Sequence, residues 1–308
     1  MMRGSGAMKE KRVKAWRLWR VGAAALAVAT AGGSAAQEVA APKPALWKLA
    51  DADTTIYLFG TIHALPAGQQ WRTPLLDRAL GESSELVLET VLGDDPLALA
   101  RVMLARGRSP GLPPLAERVP ADKQAALAAA IAAAGVPAGT LDGFETWAAA
   151  LTLIAAQVRA IGIDPELGVE RGLAKAAGDA KRPIAGLETM DQQMGFFDGL
   201  SEDAQRALLV SALDDPARAK TEFAAMLAAW ASGDVDAVAK TFAAETAMSA
   251  ELRDVLMTRR NAAWAEWLER RLDAPGTITV AVGAGHLAGG DSVLSRLGDK
   301  GLTVERVQ

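Results

Sequence analysis

Apolar residues along this chain follow two periods, and the changes between them predict its elements. Thr54-Thr55-Ile56-Tyr57-Leu58-Phe59 is β-branched and aromatic and stops at Gly60, which predicts a strand entering a glycine-containing loop. Glu85-Leu86-Val87-Leu88 predicts a second short strand ending at Glu89, and residues 74–80 between them suit a short helix. A parallel, right-handed strand, helix, strand unit is expected there. Pro183-Ile184-Ala185-Gly186-Leu187 predicts a third strand leading to Glu188. Thr277-Ile278-Thr279-Val280-Ala281-Val282 is the clearest strand pattern, closing at Gly283, and residues 302–307 read as a last edge strand after a helix at 292–297.

Between these strands the spacing is helical. Residues 96–181 are rich in alanine and leucine and are broken at 110–114, 135–139 and 162–165, so at least three helices are expected. Helices are predicted again at 201–213, 216–232, 235–247 and 250–272, with Ser201 ahead of Glu202 and Asp203 as an N-cap. Sheet-forming segments therefore lie at both ends of the chain, with long helical stretches between them. That order predicts an α/β sheet with a large helical cap, built from insertions at about 96–181 and 190–272 of a domain spanning 46–308.

The first 36 residues have a different character. Lys9, Lys11, Arg12, Lys14, Arg17 and Arg20 precede an apolar run at 21–31, followed by Gly32-Gly33-Ser34-Ala35-Ala36. The run is about 11 residues, short of the roughly 20 that span a bilayer, so a signal peptide cleaved between Ala36 and Gln37 is expected. Residues 37–45, with Pro42 and Pro44, read as a linker. A periplasmic or secreted protein follows from this expectation. Removing residues 1–36 takes away seven of the 33 basic residues and one of the 37 acidic ones, leaving a formal charge of −10. So acidic a chain is a poor partner for nucleic acid. Later windows carry regular charges, so no transmembrane helix is expected in the mature protein.

The chain has no cysteine, which excludes a thiolate metal site or a cysteine nucleophile. It has two histidines, each three residues after a glycine that closes an apolar strand: Gly60-Thr61-Ile62-His63 and Gly283-Ala284-Gly285-His286. In open parallel sheets the ligand crevice lies beyond the carboxyl ends of the strands, and glycine there admits a close approach. Leu88-Glu89-Thr90 and Leu187-Glu188-Thr189 place a glutamate at two further strand ends. Taken singly, such residues commonly serve as hydrogen-bonded or helix-capping groups. Together, two imidazoles and one or two carboxylates suit a divalent ion such as Mn, Co or Zn. An ion there would lower the pKa of a bound water and polarise a carbonyl. Arg260 and Asn261, on a helix with Trp264 and Trp267, are candidates to hold a substrate carboxylate or oxyanion and a peptide backbone, although Arg259 to Asn261 also read as a solvated helix face.

The blocks Trp47-Lys48-Leu49, Tyr57 to His63 and Leu86 to Glu89, with Gly186-Leu187-Glu188-Thr189, Arg260-Asn261 and Val282 to Gly289, resemble the TraB/PrgY/GumN family across about residues 46–308. The resemblance implies an EreA/ChaN-like α/β fold and kinship with the metal-dependent Tiki proteases, which use paired Gly-x-x-His motifs and a glutamate. The expected activity is hydrolysis of a peptide or amide bond. His63, His286 and Glu89 would be the ion's ligands, with Glu188 or another carboxylate handling the proton. An ester substrate, or a periplasmic binding module that uses the same residues without turnover, are the alternatives.

Overall fold

The computed structural model describes residues 41–91, 97–244 and 249–308. The expected signal peptide and residues 37–40 of the linker lie outside them. Six strands form one sheet in the order β6-β4-β7-β2-β1-β8, comprising β1 (Leu46–Ala50), β2 (Thr54–Thr61), β4 (Glu85–Thr90), β6 (Ile184–Glu188), β7 (Gly276–Gly283) and β8 (Val304–Arg306). The two-residue strands β3 (Leu65–Pro66) and β5 (Ile163–Asp164) pair separately. β2, β7, β4 and β6 run parallel, and β1 lies antiparallel between β2 and β8.

The strand, helix, strand unit exists as β2, α1 (Pro74–Glu82) and β4, but its two strands are not neighbours. β7 lies between them, with Ile278 opposite Ile56 on one side and Glu85 on the other. It is the most continuously buried strand, and a strand covered on both faces belongs at the sheet's centre. β1 is an addition to the expected set. Its turn into β2 is an Asx turn, in which Asp51 Oδ1 accepts from Asp53 N at 3.1 Å and Thr54 N at 2.8 Å.

Side chains alternate between the two faces with period two. Phe59, Leu86, Leu88 and Ala281 face one core, whereas Ile56, Leu58, Val87, Ile278, Val280 and Val282 face the other. The first face is covered by α1, by α5 (Val169–Asp179) through Val169, Leu173 and Ala177, and by Trp230 and Val238 of α8 (Pro216–Ser232) and α9 (Val235–Ala244). The second is covered by α11 (Arg259–Arg271) and α12 (Val293–Asp299). A separate helical core joins α3 (Gln124–Ala133), α4 (Thr146–Ala160) and α7 (Glu202–Ser211) around Leu127, Leu153 and Leu209. α2 (Ala98–Arg106) and α6 (Met190–Asp198) pack beside it through Met103, Met194 and Trp147. The helical insertions therefore divide: part forms the cap, while α5, α8, α9 and α11 complete the sheet layers, because their apolar stripes match its exposed faces.

Ser201 does cap α7, accepting from Ala204 N. Residues 250–271 form one run in which α10 (Ala250–Arg253) passes through a π turn at Asp254–Thr258 into α11. Among the described residues no helix is long and apolar enough to cross a membrane.

Candidate functional site

The four parallel strands carry the predicted residues on one edge of the sheet. His63 lies two residues past β2, Glu89 and Glu188 are in the last two positions of β4 and β6, and His286 sits in the single 3-10 turn Ala284–Leu287 after β7. Gly60 brings β2 against that turn, since a Cβ there would stand 3.1 Å from Ala284 Cα. Three of the side chains converge on Gly283. A Cβ at Gly283 would lie 3.3 Å from His63 Nε2, 3.5 Å from Glu89 Oε2 and 3.5 Å from His286 Cδ2, so the missing side chain leaves the space they share.

On the β7 side, His286 is 6% exposed and tilts against the Trp264 ring, centroid to centroid 4.5 Å. Asn261 Nδ2 donates to Asp291 O at 2.7 Å, which directs Oδ1 toward His286 Nδ1 at 2.6 Å. An amide oxygen only accepts, so Nδ1 carries the ring proton and Nε2 presents a lone pair. That lone pair faces Arg260 Nη1 at 3.3 Å. Burial, with the Arg260 and His63 charges behind it, outweighs the attraction of Glu89 and pushes the His286 pKa down to about 3. His286 is neutral near pH 7. Asn261 was expected to meet a peptide backbone; both ends of its amide are instead taken up by the protein.

On the β2 side, His63 keeps 65% of its side-chain surface. Its Nδ1 lies 2.5 Å from Glu170 Oε1, an oxygen that also accepts from Thr61 Oγ1. Nε2 lies 4.0 Å from Glu89 Oε2. Desolvation works against the imidazolium, but the Glu170 carboxylate, its hydrogen bond and the Glu89 charge outweigh it and push the pKa up to about 9, a pull that solvent around the ring screens in part. Burial likewise opposes ionisation of Glu170, yet His63 and the two hydrogen bonds hold its carboxyl below the usual range. Glu170 was not anticipated. The signal in the sequence is a glutamate placed beside the apolar stripe Val169, Leu173 and Ala177, on the buried side of α5.

Arg260 joins the carboxylates. Its Nη2 donates to Glu89 Oε1 at 2.5 Å and to Glu188 Oε2 at 2.8 Å, its Nε to Glu188 Oε1 at 2.8 Å, and its Nη1 to Leu256 O at 3.0 Å in the π turn. Trp264 Nε1 donates to Glu188 Oε1 at 3.0 Å, and Gln193 Nε2 to both Glu89 Oε1 and Glu188 Oε2. Gly283 N donates to Glu89 Oε2 at 3.2 Å. Burial would raise the Glu89 pKa, but His63, Arg260 and His286 bring it down to about 2. The solvated-face reading suits Arg259, whose side chain is 71% exposed, and not Arg260, at 9%. The carboxylates that Arg260 meets are the protein's own.

Among the described residues no three His, Asp or Glu side chains already form a ready-made ligand set. The donor chemistry around Gly283 nevertheless fits a divalent ion. A 4.0 Å span between His63 Nε2 and Glu89 Oε2 is the outer limit for two donors reaching one ion at about 2 Å each, so a small inward turn of the exposed His63 ring completes the approach. His286 adds an unprotonated Nε2 held only by the 3.3 Å contact to Arg260. Glu89 and Glu188 share the single Arg260 guanidinium, an excess of acidic groups that favours a cation, while Glu170 is taken up by His63 and Thr61.

The fold and site define an α/β protein with paired Gly-x-x-His loops at the carboxyl edge of a parallel sheet. The model of the TraB/PrgY/gumN family matches residues 45–306, and the chain belongs to that family. It is similar to the "Uncharacterized protein YbaP" of Escherichia coli (strain K12) and to its namesake in Shigella flexneri. Each is 27% identical over 236 residues, which cover 76% of this chain and 84% of the relative. No solved structure matches.

Proposed function

We propose that this protein is a metal-dependent hydrolase of peptide or amide bonds, acting in the periplasm or outside the cell after loss of residues 1–36. The observation that carries the reading is the convergence of His63 Nε2, Glu89 Oε2 and the His286 ring on the space above Gly283. His63, Glu89 and His286 would hold the ion. A divalent ion such as Mn, Co or Zn supplies a Lewis acid for the carbonyl and a water of lowered pKa. Gly283 N and Arg260 hold Glu89 in place, and Asn261 directs the lone pair of His286 Nε2 into the site. Glu188, which shares Arg260 and Gln193 with Glu89, would be the carboxylate that takes a proton from a water activated at the site, and Arg260 would face the developing oxyanion. The basic and apolar N-terminus supports export.

The test is hydrolysis of a peptide library by wild-type protein supplied with each ion, with an ester panel alongside. His63→Ala and His286→Ala are each expected to reduce turnover at least a hundredfold. Glu89→Gln separates two roles: lost metal uptake marks a ligand, whereas retained metal with collapsed turnover marks the base. Cleavage of esters alone would move the substrate class. Ligand binding without turnover by the metal-loaded wild type would replace the enzyme with a binding module. An N-terminus near Gln37 in periplasmic protein checks the export.

A further inference from the structure

We infer that Glu170, on the first turn of α5, is the positioning residue of His63: it binds Nδ1 and so commits Nε2 to the space above Gly283. The residue is built into the fold at three points. Val169 N donates to Ile62 O at 3.0 Å, which ties the start of α5 to the backbone just before His63. Gly168 makes that approach feasible, because a Cβ there would stand 2.2 Å from His63 O. Val169 and Leu173 anchor the helix in the sheet core. Thr61, the last residue of β2, donates to the same Oε1 that meets His63 Nδ1, so the carboxylate is fixed from two sides.

An ionised carboxylate accepts and does not donate, so the pair requires a proton on Nδ1. The lone pair of the neutral ring then lies on Nε2, 4.0 Å from Glu89 Oε2. Asn261 does the same for His286 from α11, and histidines that ligate metals are commonly held in this way through their other nitrogen. The consequence for an ion rests on the function proposed above; the control of the ring does not.

The experiment compares wild type, Glu170→Ala and the near-isosteric Glu170→Gln by two readouts. Long-range proton–nitrogen NMR of the imidazoles, assigned with His286→Gln and followed up to the pH at which the ring is neutral, reports how strongly Nδ1–H of His63 is bonded and which nitrogen keeps its proton. Calorimetric titration with Mn²⁺ and with Co²⁺ reports ion affinity. The expected result is a strongly downfield Nδ1–H in wild type, lost in Glu170→Ala and weakened in Glu170→Gln, with ion affinity lowered about 10- to 100-fold in Glu170→Ala. A His63 ring signature in both variants identical to wild type would overturn the positioning role. An ion that binds wild type and Glu170→Ala equally well would overturn its extension to the metal. A wild type that takes up neither ion while its ring signature depends on Glu170 would sink the metal reading and leave the positioning role standing.

Discussion

The two Gly-x-x-His loops are alike as sequences and opposite as chemical environments. His63 stands at the mouth, largely exposed, against the carboxylate of Glu170, and is held as a cation with its pKa near 9. His286 is buried between an indole, an amide and a guanidinium, and its pKa falls to about 3. Each strand end delivers an imidazole to the same edge of the sheet; the helix behind it decides the charge. α5 brings an acid to His63, whereas α11 brings Asn261 and Arg260 to His286. A repeated motif therefore does not imply a repeated role: Nε2 of His63 turns a proton donor toward Glu89, whereas Nε2 of His286 turns a lone pair toward Arg260.

The sharpest way to break this contrast is to remove Arg260. Arg260→Met leaves Glu89 and Glu188 buried without their cation, and a loss of about 3–5 kcal/mol in urea unfolding is expected, the usual cost of deleting one partner of a buried pair. A loss under about 1 kcal/mol would show that Arg260 does not hold the carboxylates together.

Next in size is the acid limb of stability contributed by His286. The unfolded chain binds a proton below pH 6.5 that folded His286 refuses until about pH 3, so stability falls as pH falls through this window. Between pH 4.5 and 6.5, before Glu89 and Glu170 contribute, the slope approaches about 1.4 kcal/mol per pH unit. His286→Gln should flatten it, and an unchanged slope would place the ring in a better-solvated setting.

The alkaline limb belongs to His63 and has the opposite sign. Folded His63 keeps its proton until about pH 9 while the unfolded ring loses it near 6.5, so stability present below pH 6.5 declines toward pH 9. The effect is smaller than at His286, because the exposed ring is screened. His63→Asn should level this limb and leave the acid one intact; loss of both together would mean that the two rings titrate as one unit. Smallest of all is Arg259→Ala, expected to change stability by less than about 0.5 kcal/mol, since its pair with Asp254 lies in solvent. A cost comparable to that of Arg260→Met would erase the distinction between these adjacent arginines.

That distinction marks where sequence reading stops. Arg259 and Arg260 lie on one predicted helix, and Arg260 falls on its buried stripe with Trp264 and Leu268, but which acids that stripe meets is set by strands far away in the chain. Glu170 is 107 residues from His63, and nothing local to either residue announces the other; their meeting depends on α5 folding back onto the carboxyl edge of β2. β1 is not predicted because Leu46-Trp47-Lys48-Leu49-Ala50 neither alternates strictly nor contains a β-branched residue, and its pairing is fixed by the Asx turn that follows.

What the sequence determined by itself was local and periodic: the four parallel strands, the glycine that ends β7, the helices, and the placing of His63, Glu89, Glu188 and His286 at strand ends. Alternation and helical spacing are properties of neighbouring residues, so they are legible without a fold. Only the tertiary structure decided that β7 enters between β2 and β4, that Arg260 rather than Arg259 bridges the carboxylates, and that one histidine carries a charge while the other is neutral. Those outcomes depend on burial and on charges within a few ångströms, which residues far apart in the chain supply.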